Sequence, residues 1–92
     1  MLKRHYSPGI PIRLNCKKTD GKAAFIVFGK KYKKARNVFN LSRNGSLKEA
    51  AKNLYKILRK IKNLKYKKIN VVKIPKQGIG IAINDRLKRA SC

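Results

Sequence analysis

The feature that most constrains the fold of this 92-residue chain is an amphipathic helix predicted from Ser46 to about Asn63. Its apolar residues recur at spacings of three and four, so they form one stripe along the helix: Leu47, Ala50, Ala51, Leu54, Leu58 and Ile61. Ser46 and Glu49 have the spacing of a capping box, in which the Ser46 hydroxyl accepts from the Glu49 amide and the Glu49 carboxylate reaches back to the Ser46 amide. A helix with one apolar stripe needs an apolar surface to cover, and we expect the rest of the chain to supply a sheet.

Three apolar segments before this helix predict strands. Residues 10–15 alternate between apolar and polar side chains, and Pro11 favours an edge position. The run 23–28 is apolar on both faces and predicts a central strand, and a third strand is expected from about Tyr32 to Leu41. Tight turns at 18–21 and 29–30 would join the three strands into an antiparallel meander.

Residues 69–74 are β-branched, and alternating isoleucines follow the turn at 75–78, which together predict a C-terminal β-hairpin. We therefore expect an α+β fold: an antiparallel three-stranded meander with one helix packed on it, followed by this hairpin. The expected organisation is a basic N-terminal arm (1–8), a nucleic-acid-binding domain (9–64), a hairpin extension (65–84) and a basic tail (85–92). Residues 78–84 resemble residues 9–15, so a truncated second repeat is an alternative for the C-terminal part.

Charge decides the expected class of function. The chain has 26 Lys and Arg against 3 acids, a net charge of +23, and a codon bias that enriches Lys does not explain the scarcity of acids. Such charges repel one another in a compact protein, and binding to a polyanion relieves that repulsion. No apolar run is long enough to span a bilayer, and the N-terminus lacks the apolar region of a secretory signal. We expect a nucleic-acid partner, no membrane, and a location in the cytoplasm or with the nucleic acid in a nucleoid or nucleus.

Residues that could perform catalysis are scattered. The three acids Asp20, Glu49 and Asp85 fall in a turn, a helix cap and the tail, whereas His5 and Cys16 have no second ligand or orienting group nearby. Paired carboxylates or a nucleophile with its base are what such chemistry needs. The sequence therefore predicts no enzyme, no metal and no cofactor.

The candidate nucleic-acid-binding residues belong to the first three strands and their turns. Alternation would place Arg13 and Asn15 outward on one strand, and Lys34 and Arg36 outward on another. Arg and Asn can bind base edges through two hydrogen bonds, with lysines on the phosphates. The full set is Arg13, Asn15, Lys17, Lys18, Lys22, Lys30, Lys31, Lys33, Lys34, Arg36 and Arg43. The lysines of the helix are more simply interpreted as a solvated face.

A family resemblance rests on the order of short motifs in residues 9–62: Gly9-Ile10, Phe25-Ile26-Val27, Gly29-Lys30, Phe39 and the helix Leu47–Tyr55. This order resembles the ethylene-response-factor (Apetala-type) DNA-binding domain, which also occurs in phage endonucleases and integrases. The chain lacks the Trp on which that family centres a strand. The resemblance implies a three-stranded sheet in the major groove, with base contacts from Arg13, Lys17, Lys22, Lys34 and Arg36.

The main functional prediction is therefore a DNA-binding protein, of the kind found in transcription regulation or in phages. The first alternative is an RNA-binding or ribosome-associated protein, in which Tyr6, Tyr32 and Tyr66 stack on unpaired bases. The same tyrosines could instead line the edge of the core. The second alternative is a small inhibitor whose basic face binds an acidic protein surface. The oligomeric state and the target sequence stay open.

Overall fold

The structure is a computed structural model that describes residues 10–90, so the predicted arm at 1–8 lies outside the described residues. The elements in chain order are β1 (Ile12–Arg13), β2 (Ala24–Val27), β3 (Val38–Asn40), α1 (Leu47–Asn63), β4 (Ile69–Val71) and α2 (Ile79–Ala90). The strands form one sheet in the order β1-β4-β2-β3, and every neighbouring pair is parallel. The chain is α+β, but the predicted antiparallel meander is wrong.

The third strand is where the meander prediction fails. Only Val38–Asn40 is extended, and residues 28–37 form the loop that carries the chain back to the start of β3. Parallel neighbours need such a long return connection, whereas a tight hairpin turn would give antiparallel strands. Residues Tyr32 to Asn37 therefore supply the return path instead of strand. The position of β1 at the sheet edge and the full burial of β2 were predicted correctly.

Helix α1 begins and ends as the sequence predicted. The Ser46 hydroxyl accepts a hydrogen bond from the Glu49 amide at 3.1 Å. The second half of the capping box differs, because the Glu49 carboxylate accepts from the Ser42 hydroxyl. That hydroxyl oxygen in turn accepts from the Ser46 amide at 3.0 Å. Ser42 therefore bonds both the Glu49 carboxylate and the Ser46 amide, and these bonds join the end of β3 to the start of α1.

The predicted C-terminal hairpin is wrong, although the first of its two segments, 69–74, does contain a strand. Its first strand is β4, which lies between β1 and β2 in the sheet. Its second strand is helix α2, in which the buried residues Gly80, Ile83, Leu87 and Ala90 recur at helical spacing. The isoleucines whose alternation suggested a strand do not share one environment, because Ile79 and Ile81 are exposed and Ile83 is buried. The segment is not a second copy of β1.

Both helices cover the same face of the sheet. Leu54, Leu58 and Ile61 of α1 and Ile83 and Leu87 of α2 pack in one cluster with the side chains that the strands direct to this face. Each such buried side chain contributes about 1.5–3 kcal/mol to stability. The opposite face, called here the helix-free face, carries a smaller apolar cluster made by Phe25, Val27 and Val72.

Candidate nucleic-acid interface

The predicted binding residues are all exposed to solvent, but those expected on outward strand faces, apart from Arg13, do not lie on a strand. Only Arg13 belongs to a strand, at the edge of the sheet. Lys34 and Arg36 lie in the loop before β3, not on an outward strand face. Arg43 lies between β3 and α1. The strand face that was expected to enter the major groove is therefore absent from the described part of the chain.

Two loops gather most of the predicted cations. The loop 14–23 joins β1 to β2, and the loop 28–37 joins β2 to β3. Cys16 of the first loop and Tyr32 of the second pack against the apolar cluster of the helix-free face, so both loops are anchored over that face. We call their exposed cations the basic loop surface: Lys17, Lys18, Lys22, Lys30, Lys31, Lys33, Lys34 and Arg36.

A cleft of about 700 Å³ lies where β1, β4 and β2 end. Because the strands are parallel, the segments that follow them meet at this carboxyl edge of the sheet. The lining residues of this carboxyl-edge cleft are Asn15, Cys16, Lys17, Lys31, Tyr32, Val72, Lys73 and Lys76. The cleft brings together three predicted site residues, Asn15, Lys17 and Lys31, with two lysines from the segment after β4.

Backbone and ring contacts hold the walls of this cleft. The Cys16 amide donates to the Val71 carbonyl at 2.8 Å, which ties the first loop to the end of β4. Asn15 has a φ of 57°, a left-handed conformation that Asn tolerates better than most residues. The Tyr32 ring packs edge-on against Phe25 with a centroid distance of 6.1 Å, and the Lys31 Nζ lies 5.5 Å from the Tyr32 ring centroid. Tyr32 is thus held as part of the core edge.

A second cleft lies at the opposite, amino edge of the sheet, where Arg13, Lys18 and Lys68 line it together with Asp20. The Lys68 Nζ lies 3.1 Å from an Asp20 carboxylate oxygen. Amides also donate to Asp20, from Lys22 at 2.9 Å and from Ala23 at 3.2 Å. The Lys22 amide, then the Lys68 ammonium and the Ala23 amide, lower the pKa of Asp20 from 3.8 to about 2. Asp20 therefore provides a negative charge beside the cations of this amino-edge cleft.

The three acids of the chain all lie away from the carboxyl-edge cleft. Asp20 bonds Lys68, Glu49 bonds Ser42, and the Asp85 carboxylate lies 3.1 Å from the Arg89 Nε on helix α2. No carboxylate lines the carboxyl-edge cleft, so its lysines have no internal counter-ion there. Like charges held together in this way favour an anion from solution.

Lys73 and Lys76 were not among the predicted binding residues, because the sequence pattern placed them in a hairpin strand and its turn. The signal that could have found them is the run 69–72, because a buried strand of a parallel sheet is followed at its carboxyl end by ligand-binding residues. Within residues 10–90, no group of three or more His, Cys, Asp and Glu side chains could hold a metal ion. Across the same described range, neither helix has the length and apolarity to cross a membrane.

A comparison with known protein families shows to which family this chain belongs. Residues 1–92 match the family of the threonylcarbamoyl-AMP synthase C-terminal domain. The chain belongs to that family. No curated protein and no solved structure matches it.

Membership of the threonylcarbamoyl-AMP synthase C-terminal domain family corrects three predictions. The resemblance to the ethylene-response-factor domain is wrong, because the family match covers the same residues and the meander it required is absent. The prediction of no enzyme is contradicted, because the family to which the chain belongs is the C-terminal domain of an enzyme. DNA binding, transcription regulation and a phage origin have no support in this family, whereas the RNA-binding alternative is compatible with it.

Proposed function

We propose that this chain is the RNA-binding domain of a threonylcarbamoyl-AMP synthase, and that the RNA it binds is transfer RNA. The family to which it belongs is a domain of an RNA-modification enzyme. Such an enzyme gains from a domain that raises the local concentration of RNA near the chemistry, since two linked binding sites act on one molecule at high effective concentration. The role of the chain in this proposal is to hold RNA, not to carry out the reaction.

The observation that carries the proposal is the net charge of +23 on a folded domain of 92 residues. Each phosphate that a lysine neutralises releases condensed counter-ions, and this release provides most of the sequence-independent affinity for nucleic acid. The described residues also include every acid of the chain, and each acid is already bonded to a neighbour. Little of the positive charge is therefore cancelled within the protein.

The basic loop surface is the part of the protein that we assign to RNA. Its cations lie on loops that are anchored to a rigid sheet by Cys16 and Tyr32, and binding residues are commonly presented in this way. Double-stranded RNA is recognised mainly through phosphates and shape, because side chains cannot read its narrow major groove. A surface dominated by lysine suits that mode, since lysine binds phosphate as a point charge. Arg13 extends the surface toward the amino edge, where Lys18 also lies.

The proposal is tested by fluorescence anisotropy with labelled transfer RNA and with duplex DNA of equal charge over a series of salt concentrations. We expect tighter binding of the RNA than of the DNA, and a log–log salt slope between about −5 and −7 if the whole basic loop surface contacts phosphates. Equal affinity for both nucleic acids at every salt concentration would show phosphate attraction alone and would overturn the proposal.

A further inference from the structure

We propose that the carboxyl-edge cleft is a discrete binding site for the terminal phosphate group of a nucleotide. Four lysines line it, Lys17, Lys31, Lys73 and Lys76, and no acid faces them. Four ammonium groups without a counter-ion repel one another, so a dianionic phosphomonoester stabilises the arrangement more than a singly charged ligand does. Lys17 and Lys31 also belong to the basic loop surface, but the cleft proposal does not rest on RNA binding and stands or falls separately from that function.

The position of the cleft is a second argument, independent of charge. In open sheets with parallel strands, ligands bind in the crevice outside the carboxyl ends of the strands. The carboxyl-edge cleft lies at those ends, between the segments that follow β1, β2 and β4. Its volume of about 700 Å³ falls within the range of roughly 300–1,000 Å³ that small-molecule sites occupy. A nucleotide therefore fits both the place and the size.

The residue types suit a phosphate group. The cations of the lining are all lysines, a side chain that commonly binds phosphate as a point charge. Lysine ammonium groups donate in any direction and suit the tetrahedral oxygens of phosphate. The Tyr32 ring and the Asn15 amide supply one aromatic and one polar wall for the nucleoside, and Val72 supplies an apolar one.

The segment after β4 makes the cleft distinct from the rest of the basic loop surface. Lys73 and Lys76 come from this segment and not from the two loops. The hydrogen bond from the Cys16 amide to the Val71 carbonyl ties the start of this segment to the loop that carries Lys17. The phosphate could belong to a free nucleotide or to the 5′ end of an RNA, and both present the same dianionic group to these lysines.

The reactivity of the Cys16 thiol reports whether the cleft is occupied, because Cys16 is half-buried in the wall of this cleft. In a Cys92→Ser protein it is the sole thiol, since the chain has two cysteines. The reaction rate of Cys16 with neutral N-ethylmaleimide is measured with AMP, ATP, inorganic triphosphate and adenosine. We expect the three phosphate-bearing probes to slow the reaction at least fivefold at saturation, and adenosine to have no effect. Protection by adenosine equal to that by AMP would overturn the proposal.

Variants locate the site. Lys73→Gln with Lys76→Gln should raise the AMP concentration needed for half-protection at least tenfold, whereas Lys52→Gln with Lys56→Gln on α1 removes equal charge and should leave it unchanged. Equal effects of the two variants would contradict a discrete site. Oligoribonucleotides with a 5′-phosphate or a 5′-hydroxyl separate the two sources: stronger protection by the former assigns the RNA end, and protection by AMP alone assigns a free nucleotide. If transfer RNA binds but no phosphate-bearing probe protects Cys16, the cleft proposal is wrong and the proposed function stands.

Discussion

The Cys16 amide donates a hydrogen bond to the Val71 carbonyl at 2.8 Å, and this bond joins the loop after β1 to the carboxyl end of β4. The segments that it connects lie far apart in the chain, and each carries lysines into the carboxyl-edge cleft. The two segments lie close together because parallel strands all end at the same edge of the sheet. In an antiparallel meander, neighbouring strands end at opposite edges.

Replacing Cys16 by proline removes the donor of this bond, and it also disfavours the backbone conformation of Asn15 just before it. We expect Cys16→Pro to lower the free energy of unfolding by about 1–3 kcal/mol, as measured by urea denaturation. Cys16→Ala keeps the amide and should cost much less. If the two variants are equally stable, the bond does not anchor the loop.

The assignment of residues 79–90 to a helix predicts a large loss of stability when one apolar residue is truncated and almost none when another is. Leu87 is fully buried, so Leu87→Ala should destabilise the protein by about 2–5 kcal/mol. Ile81 is 58% exposed, so Ile81→Ala should change stability by less than about 0.5 kcal/mol. A β-hairpin with Ile79, Ile81 and Ile83 on its inner face would give a large loss at Ile81, and that result would contradict the structure.

Gly80 lies against the preceding segment more closely than a side chain permits. A Cβ atom at this position would come within 1.8 Å of the Pro75 carbonyl oxygen. We expect Gly80→Ala to destabilise the protein by about 1–3 kcal/mol, because helix α2 must shift away from the segment after β4. Without this close approach, the same change inside a helix would stabilise by about 1 kcal/mol. A lower urea midpoint for Gly80→Ala would support the close approach, and a higher midpoint would contradict it.

The parts of the fold that the sequence predicted are those decided by local physics. The capping serine and the apolar stripe determine α1, and the continuous apolar run determines β2 as a buried strand. The direction of the strands was missed, although a run that is apolar on both faces is typical of parallel sheets. At the tight-turn signals Asp20-Gly21 and Gly29-Lys30 both glycines have a positive φ, but these bends lie inside long connections and do not make hairpins.

Helix α2 was missed for a different reason. Alternating isoleucines fit a strand over six residues, and the helical spacing of Ile83, Leu87 and Ala90 becomes visible only when the tail is included. The candidate site was predicted by residue type but not by position. The loop lysines were named, whereas Lys73 and Lys76 could be found only by interpreting the run 69–72 as a buried strand of a parallel sheet.

Asp20 predicts an acid-sensitive contribution to stability. Its folded pKa is about 2, below the ordinary value of 3.8, because the Lys22 amide, the Lys68 ammonium and the Ala23 amide favour the charged form. The contribution is therefore fully present above about pH 4 and is lost as the pH falls through about 2. Unfolding midpoints measured between pH 2 and 6 should fall more steeply below pH 4 for the wild type than for Asp20→Asn. Parallel curves for the two proteins would show that this carboxylate does not stabilise the fold.

The most direct test of RNA binding through the basic loop surface compares two variants that each lose four lysines. The loop variant carries Gln at Lys22, Lys30, Lys33 and Lys34, and the α1 variant carries Gln at Lys48, Lys52, Lys56 and Lys60. Their affinities for transfer RNA are measured by anisotropy at one salt concentration and then over a salt series. We predict that the loop variant binds at least about tenfold more weakly than the α1 variant, with a salt slope reduced by about 3. Equal weakening of both variants would contradict the account, because net charge alone would then explain the binding.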